Sequence, residues 1–270
     1  MSRPFSQRAA SFVLWLFVLV ACFAPWLTPH DPGDFASPAA QSPSREHLLG
    51  TNSIGQDNLS SLIVGFRLTV GVALATALLT CVVGAMVAMI GAYVGGWLER
   101  LLLYLTDVFL IVPETVVILT FAAFAGPGTL NLVLTMSLFS WARVARLLRG
   151  KVTLAMQQDS IQYTLLLQGG LFEVLRKLRR PLYPAMITAF IQQCSRAAVN
   201  EASIAFFGIG DPTVKSWGRM IRAALDYDRI FLERTYLWWL LPPVVLLLVF
   251  VLALAMLGFR TSQAKDGVEQ

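Results

Sequence analysis

Apolar runs long enough to cross a lipid bilayer constrain this chain more than any other feature of its sequence. A helix needs about 20 apolar residues to cross the hydrocarbon core. Only 14% of the residues are charged and 56% are hydrophobic, whereas soluble domains carry roughly a quarter charged residues. The sequence therefore predicts an all-α polytopic membrane protein with six transmembrane helices, at residues 11–27, 68–94, 101–125, 130–148, 185–209 and 237–259.

The basic balance of the chain, a net charge of +5, is explained by membrane orientation and does not require a nucleic-acid partner. Cytoplasmic loops carry an excess of Lys and Arg. The end of the fourth predicted helix and the segment between it and the fifth form the most basic part of the chain, with Arg143, Arg146, Arg149, Lys151, Arg176, Lys177, Arg179 and Arg180. We therefore expect this segment and both termini to be cytoplasmic.

These runs divide the chain into three predicted regions. Residues 1–67 form the first transmembrane helix and an extracytoplasmic connection, residues 68–259 form the core bundle with a cytoplasmic loop at 149–184, and residues 260–270 form a cytoplasmic tail. A signal peptide is the alternative for the first run, since residues 19–22 resemble a lipoprotein processing box. The residues after Cys22 stay apolar, which favours a retained helix.

The loop at residues 157–184 is amphipathic and interrupts the apolar runs. Its residues 171, 174, 175 and 178 are apolar and share one face of a helix. Gly169 and Gly170 predict a turn before this helix, and Pro181 and Pro184 predict its end. Apolar residues 165–167 and Phe172 are framed by basic side chains, which is typical of a protein interface. A helix lying on lipid headgroups is the alternative that this pattern leaves open.

Ionisable residues inside predicted spans are the candidate groups for a translocation path or gate. Such groups are costly in lipid and face a bundle interior or a wet cavity. Glu114, Arg196 and Glu201 are the candidates, and Arg196 is a hypothetical partner of Glu114. Their alternative role is structural pairing within the bundle.

The sequence predicts no catalytic site and no metal site. It contains no nucleophile–base constellation, no P-loop and no zinc-protease motif. Its three cysteines lie in apolar runs without CxxC spacing, and it has only two histidines. We therefore expect a chain that is not an enzyme, binds no cofactor and has no dedicated metal-ligand set.

Three segments resemble signatures of the permease subunits of bacterial ATP-binding-cassette importers, in the dipeptide, oligopeptide and nickel branch. Residues 47–57, HLLGTNSIGQD, resemble HxLGTDxxGRD, with Gln56 where the family has Arg. Residues 91–97, with Asp107 and Pro113, resemble GxxxGYxGGxxD…D…P. Residues 201–210 and 212–218 are similar to EASLSFLGLG…PxxSWG. The resemblance runs over nearly the whole chain and indicates the second of the branch's two permeases.

This resemblance implies a type I importer permease fold in the bacterial inner membrane, with a cytoplasmic two-helix coupling loop. It implies a heterodimer with a homologous permease, two ATPase subunits that bind ATP and Mg²⁺, and an extracytoplasmic solute-binding protein. The implied cargo is a peptide, nickel or a metal chelate.

The family's coupling motif, EAAxxxG followed by His and Pro-Asn, binds a groove of the ATPase. Aligned on Gly169, it implies that the ATPase-docking residues here are Tyr163, Thr164, Leu165, Leu166, Gly169, Gly170 and Arg180. The chain departs from the motif at the acid and both alanines. Arg180 or Pro181 stands near the family's His, and Ala185 follows Pro184 where the family has Asn.

Two other classes stay open on these residues. An ATPase-independent channel or secondary carrier is one, although the sequence shows no matched pair of broken helices typical of carriers. A subunit that assembles but does not couple is the other, because the loop motif is so changed.

Overall fold

The computed structural model describes the backbone of residues 5–266 and the side chains of residues 8–258. Over this range the chain is helical, and its β-structure is a single bridge between Thr51 and Asp57. The helices are α1 (Phe5–Leu27), α2 (Asn58–Val94), α3 (Gly96–Ile111), α4 (Glu114–Phe124), α5 (Thr129–Met156), α6 (Asp159–Leu166), α7 (Leu171–Phe206), α8 (Trp217–Leu225) and α9 (Leu241–Asp266), with one 3-10 turn at Thr235–Leu237.

Helix α2 begins ten residues before the predicted span and runs for 37 residues without a break. Asp57 caps it, because the side chain of Asp57 accepts a hydrogen bond from the backbone N–H of Ser60 at 2.7 Å. Asn58 and Ser61 are buried, so the first turns of α2 pack inside the protein.

Within the described residues, three helical segments are long and apolar enough to cross a membrane, at Arg8–Leu27, Asn58–Val94 and Thr235–Gly258, and the pair α3–α4 makes a fourth when it is counted as one span. Helices α5 and α7 have 28 and 36 residues, which exceeds the required length of about 20. Both helices contain charged residues, and both pack against α2.

The third predicted span is broken into α3 and α4, which meet at an angle of 88°. The break lies at Val112 and Pro113. Proline offers no backbone N–H and keeps the preceding residue out of the helical region, and Val112 is extended at φ −78° and ψ 135°. The prediction of one continuous helix at 101–125 is therefore wrong, and Glu114 begins a helix instead of lying within one.

Helix α7 continues through Pro181 and Pro184, where the sequence predicted an end. Leu178, Leu182 and Ala185 lie buried along one face across both prolines, so packing holds the helical path. The carbonyl of Pro184 accepts a hydrogen bond from the Thr188 hydroxyl at 3.1 Å. Neighbouring helices and Thr side chains are the known compensation for proline in membrane helices.

Two clusters of buried side chains lie at the two ends of α2. Near its N-terminus, Phe17 and Phe66 pack around Trp217, whose indole N–H donates to the carbonyl of Leu62 at 3.2 Å. Nearer its C-terminus, Cys81, Ala85 and Ala88 pack with residues of α5, α6 and α7. The loop between α5 and α7 and the connection at residues 28–57 therefore lie at opposite ends of the bundle.

Candidate functional site: the elbow and the charged groups of the bundle

The two-helix elbow, defined as α6 and the first turns of α7 (residues 159–180), has one buried face and one exposed face. Ile161 and Val174 are fully buried against α5. On the other face Tyr163, Leu166 and Phe172 are 68%, 78% and 80% exposed. The elbow is thus held by one set of apolar residues and presents a second set to the surface.

The turn of the elbow depends on Gly169. Its N–H donates to the carbonyl of Thr164 at 2.8 Å. A Cβ on Gly169 would lie 2.4 Å from Thr164 Cγ2 and 2.9 Å from Thr164 O, whereas a Cβ on Gly170 would meet nothing within 4 Å. The first glycine is required by the close approach of α6, and the second is not.

Lys177 connects the two helices of the elbow. Its ammonium donates to the carbonyl of Ser160 at 3.2 Å and to the hydroxyl of Thr164 at 2.5 Å, which ties α7 to both ends of α6. Nothing in the sequence pattern distinguished Lys177 from the other basic residues of the loop.

A basic cleft of about 540 Å³ opens at the elbow, lined by residues of α6 and α7. Arg180, one of the predicted docking residues, lines it with the other cations of α7. The remaining predicted docking residues divide by burial: Tyr163, Leu166 and Gly170 are exposed, Leu165 and Gly169 are half-buried, and Thr164 is buried. The full lining of the cleft is Gln158, Ser160, Arg176, Lys177, Arg179, Arg180 and Pro181.

Three arginines on α5, one at every third residue, form ion pairs with acids on α3 and α4. Arg143 pairs with Glu114 at 2.6 Å between Nη2 and Oε2. Arg149 pairs with Glu99 at 3.0 Å, and Arg146 pairs with Asp107. The three ion pairs connect both α3 and α4 to α5. The regular spacing of these arginines is the signal that sequence reasoning missed.

The carboxylate of Glu114 is bound by two side chains of α5. Besides Arg143, it accepts a hydrogen bond from the Ser140 hydroxyl at 2.5 Å, and its side chain is 12% exposed. A direct pair with Arg196 was hypothesised, and that pairing is wrong, because none of the ion pairs among the described residues includes Arg196. Arg196 nevertheless lies close enough to Glu114 and Arg143 to interact with both electrostatically.

Glu201 is buried at the far end of α7 from the elbow. Its Oε2 accepts a hydrogen bond from the Thr69 hydroxyl of α2 at 3.1 Å, and it is 1% exposed. Glu201 also lines a small cavity with Ser216 and Arg219. The three predicted path residues therefore form two groups, with Glu201 apart from Glu114 and Arg196.

At the same end as Glu201, a cavity of about 290 Å³ lies between the residue 52–61 segment and α8. Lys215 lines this cavity. Its ammonium group donates a hydrogen bond to Gln56 Oε1 at 2.5 Å. Burial lowers the pKa of Lys215, and the nearby Arg219 lowers it further. Gln56, which stands where the resembled signature has Arg, thus accepts a hydrogen bond from a cation on another segment.

The fold and these groups define a class: a polytopic α-helical membrane protein with paired charges inside its bundle and an exposed elbow at one end. Residues 80–264 match the family described as the binding-protein-dependent transport system inner membrane component. The chain belongs to this family, which comprises the inner-membrane permease components of ABC importers and has the type I ABC permease fold. Members of the family are transport components and not catalytic subunits.

Two relatives are similar over nearly their full length. The di/tripeptide transport system permease protein DppC of Pseudomonas aeruginosa (strain UCBPP-PA14) is 29% identical over 274 residues, which cover 97% of this chain and 88% of that protein. The glutathione transport system permease protein GsiD of Shigella dysenteriae serotype 1 is 26% identical over 265 residues, covering 97% and 86%. The same protein from Escherichia coli O6:K15:H31 is also 26% identical.

Proposed function

We propose that this chain is one of two permease subunits of an ATP-driven importer and that it couples to an ATPase through residues 157–184. The observation that carries the proposal is the surface of the elbow, where Leu166 and Phe172 are exposed on the same two helices that line a basic cleft. Apolar residues rimmed by charge mark protein interaction sites. A short amphipathic helix in a partner's groove is a common docking mode.

Helix α7 gives the elbow a mechanical connection to the bundle. It runs unbroken from Leu171 in the elbow to Phe206, which corresponds to about 54 Å at 1.5 Å per residue. A displacement of the elbow by ATPase closure would be carried along this helix to Glu201 and to its contact with α2. We propose that this displacement changes access between the two sides of the membrane.

Membership of the family supports a set of partners. We propose a homologous permease, two ATPase subunits that carry ATP and Mg²⁺, and an extracytoplasmic solute-binding protein, with both termini of this chain in the cytoplasm. The basic residues at the elbow end support that orientation. The binding protein would then face the opposite end, which carries the residue 28–57 connection and the 210–236 segment.

Peptides are the favoured cargo, and nickel or a metal chelate is the second. The relatives named for di/tripeptide and glutathione transport support the peptide class. We propose that Glu114, Arg196 and Glu201 contribute to the path or gate. The buried position of Glu201 at the end of α7 and the charged group around Arg196 support this assignment.

The test is co-purification of the chain from solubilised native membranes, with ATPase activity assayed on the recovered complex. Leu166→Asp with Phe172→Asp places two carboxylates on the exposed face without touching the buried one, so an ATPase subunit should be lost. Leu232→Asp is the matched control, because Leu232 is 83% exposed in the 210–236 segment, and it should retain the ATPase.

Three outcomes separate the alternatives. Loss of the ATPase in the elbow variant alone supports coupling through this surface. A wild-type chain that purifies folded and without any ATPase favours a channel or carrier. A bound ATPase whose activity does not respond to binding protein and peptide favours a subunit that assembles without coupling.

A further inference from the structure

Both histidines of the described chain meet at the end of the bundle opposite the elbow. His30 follows α1, His47 lies in the connection to α2, and their ring centroids are 4.8 Å apart. Asp57, the cap of α2, lies against both. One nitrogen of each histidine and one carboxylate oxygen of Asp57 all lie within 4.8 Å of one another. The low histidine count of the sequence gave no sign of this proximity.

The individual distances bracket those of a tetrahedral metal site. His47 Nδ1 is 3.0 Å from Asp57 Oδ1, and His30 Nδ1 is 4.0 Å from Asp57 Oδ2. With metal–ligand bonds of about 2.0–2.1 Å, ligand atoms of a tetrahedral zinc site lie about 3.4 Å apart. The two distances lie on either side of that spacing, and the three ligand atoms all lie within 4.8 Å of one another, so small side-chain shifts separate this arrangement from a metal site.

Two of the three side chains are already held in orientation. His47 and Asp57 are 5% and 3% exposed, and the hydroxyl of Ser37 lies 3.0 Å from His47 Nε2. A hydrogen bond at the far ring nitrogen is the usual support of a metal-binding histidine. It leaves Nδ1 directed at the cluster.

The third side chain has an unsatisfied nitrogen. His30 Nδ1 is buried without a hydrogen-bond partner, although buried polar atoms almost always have one. The backbone N–H of His30 donates to Ser60 Oγ at 3.1 Å, so the residue is fixed beside the cap of α2. Its ring is 38% exposed, which leaves an approach for a cation and for one water ligand.

We propose that His30, His47 and Asp57 bind one divalent first-row transition cation, with Zn²⁺ as the probe. Two imidazoles and one carboxylate are ligands that suit such cations and not Mg²⁺ or Ca²⁺. The bound cation joins the end of α1, the connecting segment and the first turn of α2. It acts as a clamp on residues 28–57, at the end that the proposed function assigns to the binding protein. The site itself does not depend on that assignment.

The experiment uses the full chain, purified with a tag that contains no histidine and stripped with a chelator. Zn²⁺ is titrated by calorimetry, and Co²⁺ is added separately because its visible absorption reports coordination. The wild type should bind one Zn²⁺ per chain and give the intense d–d bands of tetrahedral Co²⁺. Hydrogen exchange of residues 28–57 should slow when Zn²⁺ is bound.

The variants separate a metal site from a purely structural His–Asp pair. His30→Ala removes a ligand that does not cap α2, and affinity should fall about tenfold or more, with loss of the Co²⁺ bands. Ser37→Ala should also weaken binding about tenfold. Glu46→Gln, which removes an exposed neighbouring carboxylate, should leave affinity unchanged. Equal affinity in the wild type and His30→Ala, or no binding in the wild type, overturns the proposal.

Discussion

Gly169 is the residue at which the elbow depends most directly on the absence of a side chain. We expect Gly169→Ala to destabilise the elbow by about 1–3 kcal/mol, because the new methyl group would overlap Thr164. Gly170→Ala is the matched control, since its Cβ meets open space and its φ of −65° suits any residue. The measurement is hydrogen exchange of residues 159–175 in the full chain, which should accelerate in the first variant alone.

Glu114 is the residue that best separates a path role from a structural one. We expect Glu114→Gln to keep the Ser140 contact, to lose the charge partner of Arg143, and to lower uptake several-fold at a normal protein level. The reason is that two cations, Arg143 and Arg196, then share the site with one fewer acid. Unchanged uptake at a normal protein level would remove Glu114 from the proposed path.

At the scale of the elements, the contact between α2 and α5 depends on a small residue. A Cβ on Gly84 would lie 2.7 Å from Val144 Cβ and 2.9 Å from the Trp141 carbonyl. We expect Gly84→Ala to cost about 1–3 kcal/mol through overpacking. Gly71→Ala, in the same helix with nothing within 4 Å, should instead be neutral or gain up to about 1 kcal/mol from helix propensity.

Thermal unfolding of the two variants in detergent, at one protein concentration, is the measurement for this pair. A lower midpoint for Gly84→Ala, with an unchanged or higher midpoint for Gly71→Ala, is the expected result. Equal midpoints would show that α2 and α5 separate easily enough to accept a methyl group between them.

The elements also show which parts of the fold were predictable. Long apolar runs predicted α1, α2 and α9 because a bilayer requires them, and Gly169 with Gly170 predicted the elbow turn. The local sequence does not distinguish Pro113, which breaks a helix, from Pro181 and Pro184, which do not. The chain bends at Pro113 between α3 and α4, whereas α7 continues through Pro181 and Pro184, with Leu178 and Leu182 buried beside them. Tertiary packing decides between these outcomes.

The candidate site was predicted in part for the same reason. The exposed apolar residues of the elbow followed from amphipathic spacing, and the acids and arginines were recognisable as unusual within apolar runs. Their partners were not predictable, because Glu114 in α4 pairs with Arg143 in α5. The proximity of His30 to Asp57 was not predictable either, because the segment after α1 and the start of α2 come together only when the whole bundle is folded.

At the scale of the whole molecule, the elbow lies at one end of α2, and the His30 and Glu201 groups lie toward the other end. Helix α7 is the continuous element that joins the elbow to Glu201. In the importer proposed above, motion carried along α7 would be driven by ATP hydrolysed by partner subunits.

The most direct test is uptake of a labelled dipeptide or tripeptide by proteoliposomes containing this chain with its co-purified partners and binding protein. We expect uptake only when ATP and Mg²⁺ are present on the elbow side, and loss of uptake in the Leu166→Asp, Phe172→Asp variant. Proteoliposomes containing this chain alone should take up none. Uptake by the chain alone without ATP would contradict the importer and establish a carrier.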